Sequence, residues 1–462
     1  MLQCGTWHPS GTHPCPSTHP IRHRCLTVLN EGSYTPPAVN GFSAASTSGK
    51  ILARFAWAVV TVLLACGCGP QSHEVDRPAQ DMESVLTEDE ALRLDALGYL
   101  EFAPPPPDDA STGVVVHLPQ LSSIDYVLLT YPVLARAELV DSNGDLVWDW
   151  KRDFGNWERA VLTANGDLLV VATEATGDNR KRHRVLLRLG FNGELLWKRQ
   201  LPVHHHAVEI SDGRIAVLTS RARRLSDPEG VRVVLDNGIL LLSPDGEPQE
   251  EQSLTDMLTA NPDLFTFRPV VDEDGKPARD FIHANFLHWM PGGKLAAESP
   301  LFDATNVMVT SRKQDTVAIV DWVRGRVLWA WGQGEIVGPH DACLLTNGNL
   351  LIFDNRSRSL ESDQNEQWSR VIELDPLTRS IVWEYRGNPQ ESFCSHSRGT
   401  VQRLSGGTTL IGSSNQGRVF EVTSEGQVVW EYRTPHRNDK GEAAVLRAGH
   451  YEQAFIKDLL PR

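Results

Sequence analysis

The chain has 462 residues, room for one large domain or two ordinary ones, and its 40% hydrophobic and 22% charged content is that of a globular protein. Its 44 Lys and Arg stand against 59 Asp and Glu, a formal net charge of −15. That balance argues against a general binder of nucleic acid or of an anionic membrane surface, and leaves space only for a local basic pocket that takes a small anion.

Residues 1–49 are rich in His, Pro, Ser and Thr and have no apolar period. They read as a disordered extension or as sequence ahead of the true start, and their histidines do not make a metal site. Residues 50–69, KILARFAWAVVTVLLACGCG, begin with the basic Lys50 and Arg54. The apolar run that follows is too short to span a bilayer comfortably. It ends in Leu63-Leu64-Ala65-Cys66, which resembles the lipobox of bacterial lipoproteins. That resemblance implies lipidation at Cys66, a membrane anchor through the lipid, and a place on the periplasmic side of the cell envelope. Residues 70–112 read as a linker with one short helix, LTEDEALRLDALGYL (86–100), ahead of the Pro-rich FAPPPPDDAS.

From residue 113 to 462 the pattern is all-β. An apolar strand, a Gly-containing turn, a second strand, a variable loop, a third strand, another turn and a strand ending in Trp recur along the chain. AVLTANGDLLVVA…VLLRLGFNGELLWK matches ACLLTNGNLLIFD…RVIELDPLTRSIVWEY and TVQRLSGGTTLIGSS…GRVFEVTSEGQVVWEY. The closing tryptophans are Trp148, Trp197, Trp329, Trp383 and Trp430, and the unit around AVEISDGRIAVL lacks one. Alternating strands joined by Asn-Gly-type turns, at a period of roughly 45–50 residues, predict a six-bladed β-propeller of four-stranded blades. The first blade lacks its leading strand, and the tail AVLRAGHYEQAFI (444–456) is placed to supply it. The tryptophans read as packing between blades. TSRARRLSDPEGVR (219–232) and DNRSRSLESDQNEQWS (354–369) read as long loops after the second strands, on the face that lines a pocket.

The first strand of a propeller blade lines the central channel. His340, in GPHDACLLTNGNLLIFDNRSR (338–358), stands just before such a strand. Aligned on the turn glycines, His205 in LPVHHHAVEI falls at the same offset, His283 in DFIHANFLHW two residues earlier, and His396 in SFCSHSRGTVQRL a few residues earlier. Arg356, Arg358 and Arg398 occupy neighbouring loop positions. Each histidine alone reads well as a satisfied polar residue at a strand end, but four of them facing one axis point to a site. Histidine clusters can bind metal. No carboxylate pair or tight H-x-H spacing adds to that reading, and arginines beside histidines favour an anion such as sulfate or phosphate. Of His204, His205 and His206, strand alternation lets at most two point inward. No CxxC pair suggests zinc, and only Cys343 and Cys394 lie in the body, where their pairing stays open.

Several stretches resemble the bacterial arylsulfotransferases: DEALRLDALGYL, ARAELVDSNGDLVWDW, HHHAVEISDGR, DFIHAN, VLWAWGQGEIVGPHDACLLTNGNLLIFDNRSR, SRVIELDPLTRSIVWEY and SRGTVQRLSGGTTLI. Together they cover roughly residues 86–456. The resemblance implies transfer of a sulfuryl group from a phenolic sulfate ester to a phenolic acceptor, with no nucleotide sulfate donor, no cofactor and a sulfohistidine intermediate. A neutral imidazole is a good nucleophile, and Arg and His donors suit the charge spread over three transferring oxygens. Carried over by motif, His396 is the nucleophile, His283 and His340 bind oxyanions, and Arg358, or Arg356, supplies the arginine. His205, Arg356, Arg398, Asn285 and Asn355 contact substrate. His205 resembles a histidine of an HHD motif whose aspartate is here Ala207. A non-catalytic envelope propeller that binds an anionic ligand or a protein partner is the alternative, and it has no need of a histidine ring. A quinone-dependent dehydrogenase would need more blades and a calcium site of Asp, Glu and Asn.

Overall fold

The structure is a computed structural model, and it describes residues 101–103, 111–152, 155–176, 181–227, 230–272, 274–357 and 368–460. The extension, the lipobox with Cys66, the helix expected over 86–100 and Arg358 lie outside the described residues. Among the described residues, six antiparallel sheets carry four strands or more, and α-helix is confined to Leu254–Thr259, Gly293–Glu298 and Gln453–Lys457. The expected propeller is present. None of these helices is long and apolar enough to cross a membrane.

The sheets follow the sequence repeat. The second blade is Asn156–Leu162, Leu168–Thr176, Lys181–Leu189 and Leu195–Gln200, in that spatial order. The third runs from Val203–Glu209 to Pro248–Ser253, the fourth from Ala284–Trp289 to Arg326–Trp331, and the fifth from His340–Leu344 to Ser380–Arg386. In four blades the first hairpin closes on a left-handed glycine: Gly166, Gly213, Gly348 and Gly407 have φ of +83° to +87°. Each donates its N–H to the carbonyl three residues back, at 2.9–3.0 Å. Only glycine takes that φ without a Cβ clash, which is why these turns read so clearly in the sequence.

Both chain ends tie the ring. Arg447–Tyr451 pairs with Tyr126–Tyr131 as the innermost strand of the first blade, as the tail was expected to do. Gly113–His117 pairs with Val428–Arg433 as a fifth strand on the outer edge of the sixth blade. Phe102–Ala103, inside the expected linker, pairs with Ala443–Ala444.

The closing tryptophans lock each blade to the next. The indole N–H of Trp329, Trp383 and Trp430 donates to the carbonyl of Pro376, Ser424 and Ser142, in a turn of the following blade, at 3.0, 2.8 and 2.7 Å. Trp148 stacks on Phe191 at 5.5 Å, and Trp197 lies against Gly246, where a Cβ would stand 3.0 Å from its ring. The third blade has no tryptophan. There the Gln252 amide donates to the Trp322 carbonyl in the same kind of turn, at 2.7 Å.

One expected loop is not a loop. Residues 219–227 and 230–232 continue the strands Ile215–Asp227 and Gly230–Leu242, which pair without a break from Ile215↔Leu242 to Asp227↔Gly230. Leu225 packs on the core, Arg221 pairs with Glu251, and Arg223 pairs with Asp236 and Asp256. Alternate side chains of this arm therefore have partners, which a polar composition does not disclose. The long gap between Trp197 and Trp329 holds two blades plus the segment between Ser253 and Ala284, which carries the Ser253-capped helix Leu254–Thr259.

Candidate active site

The innermost strands bring their N-terminal ends together around one axis. At or beside those ends His205, His283, Asp341 and Arg398 have φ of 53°, 51°, 49° and 57°. A left-handed conformation costs an L-residue about 1–2 kcal/mol, and such strain gathers at functional sites. Register shifts follow in the strands of His205, His283 and His340, and bulges of this kind re-aim side chains. The left-handed residue explains why neighbours 204 and 205 do not point to opposite faces. Their rings are 3.9 Å apart, and both lie near His283, at 5.4 and 5.0 Å between centroids. His206 turns away and stacks on Phe286 at 4.3 Å.

His205 and His283 meet through their Nε2 atoms at 3.1 Å. The opposite nitrogen of each faces a carboxylate: His205 Nδ1 lies 3.2 Å from Glu158, and His283 Nδ1 is bonded to Asp280. Glu158 binds Arg447 at 2.6 Å and lies 3.6 Å from Arg398. Burial raises the Glu158 carboxyl, but Arg398, Arg447 and His205 together outweigh it and hold the group well below its ordinary value. Asp280 goes the other way, raised mainly by burial. Burial also keeps the imidazoles neutral. His204 is pushed down to about 3 by burial and the nearby Arg184, and His205, His283 and His340 lie well below their usual range for the same primary reason.

His340 is 1% exposed, and its tautomer follows from its neighbours. Asn355 gives its amide N–H groups to the carbonyls of Ser395 and Arg398, so its oxygen faces His340 Nδ1 at 2.7 Å. The Gly338 carbonyl also faces Nδ1, at 3.0 Å. Two acceptors at one nitrogen make Nδ1 the N–H donor and put the lone pair on Nε2. The backbone N–H of Arg398 donates to that lone pair at 3.2 Å. Arg312, itself buried, bears electrostatically on both His283 and His340.

The sequence-predicted residues therefore divide. His205, His283, His340, Asn355 and Arg398 come together. Asn285 is buried beside them and binds the Pro339 carbonyl at 2.9 Å, so it holds the chain that carries His340. Arg356 is exposed, with its guanidinium over Trp368, 4.6 Å from the ring centre. His396 is half-buried, and its ring nitrogens touch Cys394 Sγ, at 3.9 and 4.0 Å. Cys343 and Cys394 are free thiols. The sequence reading missed Glu158, Asp280, His204, Arg312 and Arg447. Glu158 stands at the start of an innermost strand, as His205 does, and the same alignment could have found it. A cavity of about 350 Å³ opens beside the cluster, lined by Glu158, His204, His205, Arg398, Arg184 and Thr173 among others.

The sequence model of the arylsulfotransferase (ASST) family matches residues 183–435, more than half of the chain. The chain belongs to the arylsulfotransferase family. No curated protein matches it. Among solved structures of similar fold is a Bacteroides caccae protein of unknown function, 14% identical, with 68% of this chain and 94% of that one covered at a TM-score of 0.44. Streptogramin B lyase is 11% identical, with 76% and 97% covered at 0.39. The matched region of this arylsulfotransferase includes His204, His205, His283, Arg312, His340 and Arg398. It leaves out Glu158, on the second blade, and Arg447, on the closing strand.

Proposed function

We propose that this arylsulfotransferase moves a sulfuryl group from a phenolic sulfate ester to a phenolic acceptor by way of a sulfohistidine on His340, with no nucleotide sulfate donor. The observation that carries this reading is the fixed tautomer of His340: Asn355 and Gly338 hold its Nδ1 proton and leave the lone pair on Nε2, where the Arg398 backbone N–H that meets it gives way when sulfur is attacked. In the first half-reaction Nε2 bonds to sulfur, the sulfur–oxygen bond breaks, and the phenolate leaves with the electron pair. In the second, the acceptor oxygen bonds to sulfur, the Nε2–sulfur bond breaks and returns its electron pair to Nε2, and the acceptor's proton passes to solvent. Burial keeps His340 neutral, as a nucleophile must be. Arg312 and Arg398 supply positive charge where the three sulfuryl oxygens carry negative charge. The half-buried His396, beside Cys394, lacks these supports, so the nucleophile is assigned to His340 in its place.

The experiment is rapid mixing of the purified protein with 4-nitrophenyl sulfate. A nitrophenolate burst equal to the enzyme, followed by phenol-dependent turnover, is the expected result. Release independent of phenol would make the protein a hydrolase, and no release with any aryl sulfate would leave the binding propeller. The lipobox-like stretch supports a lipid anchor at Cys66 on the periplasmic side. Cys66→Ser is then expected to shift the protein from the membrane fraction to the soluble one.

A further inference from the structure

We propose that Arg159 and Asp341 are positioning residues for the transfer: their ion pair is a strut across the ring that sets where the His340 imidazole stands against the second and sixth blades. The inference rests on the assignment of His340 as nucleophile. Arg159 Nη1 lies 2.6 Å from Asp341 Oδ1, and the side chains are 12% and 5% exposed. Arg159 belongs to the innermost strand of the second blade and Asp341 to that of the fifth. In a ring of six those blades stand opposite each other, so the pair crosses the central axis. Its two members directly follow Glu158 and His340 in the chain.

The backbone brings both side chains to the axis. A register shift between Trp157 and Arg159 makes Glu158 the extra residue of a bulge. Neighbours in sequence therefore both reach inward, Glu158 to Arg398 and Arg447, and Arg159 to Asp341. On the fifth blade, Asp341 has its left-handed φ of 49°, and strand pairing resumes only at Cys343. A conformation of this kind persists where its surroundings over-determine it. The carboxylate supplies that restraint. Its Oδ1 holds Arg159, and its Oδ2 accepts the Val401 N–H at 3.0 Å. Val401 lies in the innermost strand of the sixth blade, three residues beyond Arg398, whose backbone N–H meets His340 Nε2. The turn of the chain directly after His340 aims its ring, and the same carboxylate ties that turn to the segment the ring faces. Arg159 is itself held: its guanidinium lies over Phe286 of the fourth blade, 4.9 Å from the ring centre, and Phe286 stacks on His206 of the third at 4.3 Å. One layer of contacts thus joins the innermost strands of five blades, a step along from the nucleophile. A buried ion pair adds little net stability over well-packed apolar side chains, so its value here is the geometry it fixes.

The test is the nitrophenolate burst of the full chain at saturating 4-nitrophenyl sulfate, read for amplitude, rate constant and donor half-saturation. The Arg159→Met/Asp341→Asn double variant strands no charge. Its burst is expected to keep the full amplitude while the rate constant falls at least about thirtyfold and half-saturation moves less than about threefold, because a displacement of about 1 Å at the reacting atoms costs up to about 10²-fold. Arg159→Lys, which keeps a cation for Oδ1, is expected to stay within about fivefold of wild type. The two single losses should not add, since both break one device. Should the double variant fail to fold, the nearly isosteric Asp341→Asn is read in the same way. A rate constant within about threefold of wild type, whether the amplitude is full or reduced, would overturn the inference and leave the pair a purely structural contact. The wild-type traces separate the two proposals. No burst from wild type, or a burst that survives His340→Ala, removes the transfer reading and this inference with it. A His340-dependent burst that the double variant leaves intact removes this inference alone.

Discussion

Arg447 joins the closing strand to the site, and its removal tests whether ring closure and active-site charge share one contact. Its Nη2 lies 2.6 Å from Glu158 Oε1, and its Nε donates to the Glu158 carbonyl at 3.0 Å. The arginine side chain is 3% exposed and the glutamate 19%, the latter toward the cavity. Breaking a buried pair by removing one partner costs about 3–5 kcal/mol, most of it from the charge left behind. Cavity access and Arg398 at 3.6 Å soften that loss, so Arg447→Met is expected at about 3 kcal/mol. In a Glu158→Gln background no carboxylate is stranded, and the same change is expected to cost about 1 kcal/mol, the net worth of the remaining bonds. The double-mutant cycle, read from urea or thermal melts at pH 7, then gives a coupling near ~2 kcal/mol. The folded Glu158 carboxyl lies below its unfolded value, so its contribution is complete above the unfolded carboxylate range, near pH ~4.3, and is lost as pH falls through the folded pKa. The deficit of Arg447→Met against wild type should therefore shrink in acid. A coupling below about 0.5 kcal/mol, within the additivity error, would refute the shared contact.

Three further outcomes are expected. His340→Ala abolishes the nitrophenolate burst, a loss of at least about 10³-fold, while His396→Ala keeps the rate within about threefold; the reverse order in stopped-flow traces would return the nucleophile to His396. Gln252→Ala costs about 0.5–1.5 kcal/mol, the worth of one hydrogen bond, and Trp430→Ala about 3–5 kcal/mol, measured by denaturant melts. Burial pushes the Cys343 and Cys394 thiols up to about 12 and about 11. Iodoacetamide at pH ~8 should therefore label neither in the native protein and both after unfolding, as read by peptide mass mapping.

Most of the fold was legible because it is written in local chemistry. Asn-Gly, Asp-Gly and Gly-Gly turns need a left-handed residue wherever they occur, and the closing tryptophans recur because each blade meets its neighbour in the same way. The long arm of the third blade was not legible. Its polar alternation is satisfied by Glu251, Asp236 and Asp256, partners that are brought near only by folding. The same limit explains the site. His205, His283 and His340 were visible because the repeat places them at one level of the ring. Arg312 comes just after the end of a second strand, where no such alignment applies, and Asp280 precedes its strand altogether, whereas Arg447 begins an innermost strand that the tail adds to the first blade out of sequence order.

His396 shows what motif spacing can and cannot do. It stands two residues before Arg398, whose backbone reaches His340, so the segment belongs to the site. The side chains of that segment do not all share its direction. Ser395 and Ser397 turn inward to Asn415, which leaves His396 between them on the opposite side, beside Cys394. Simple alternation would put His396 and Arg398 on one face; the bend at 396–397 and the left-handed φ of 57° at Arg398 give them different surroundings. A sequence offset locates a backbone level in a propeller. Which ring at that level can attack depends on the acceptors that fix its proton. Among the described contacts of the four aligned histidines, it is His340 that has a neutral amide oxygen and a backbone carbonyl at the same nitrogen.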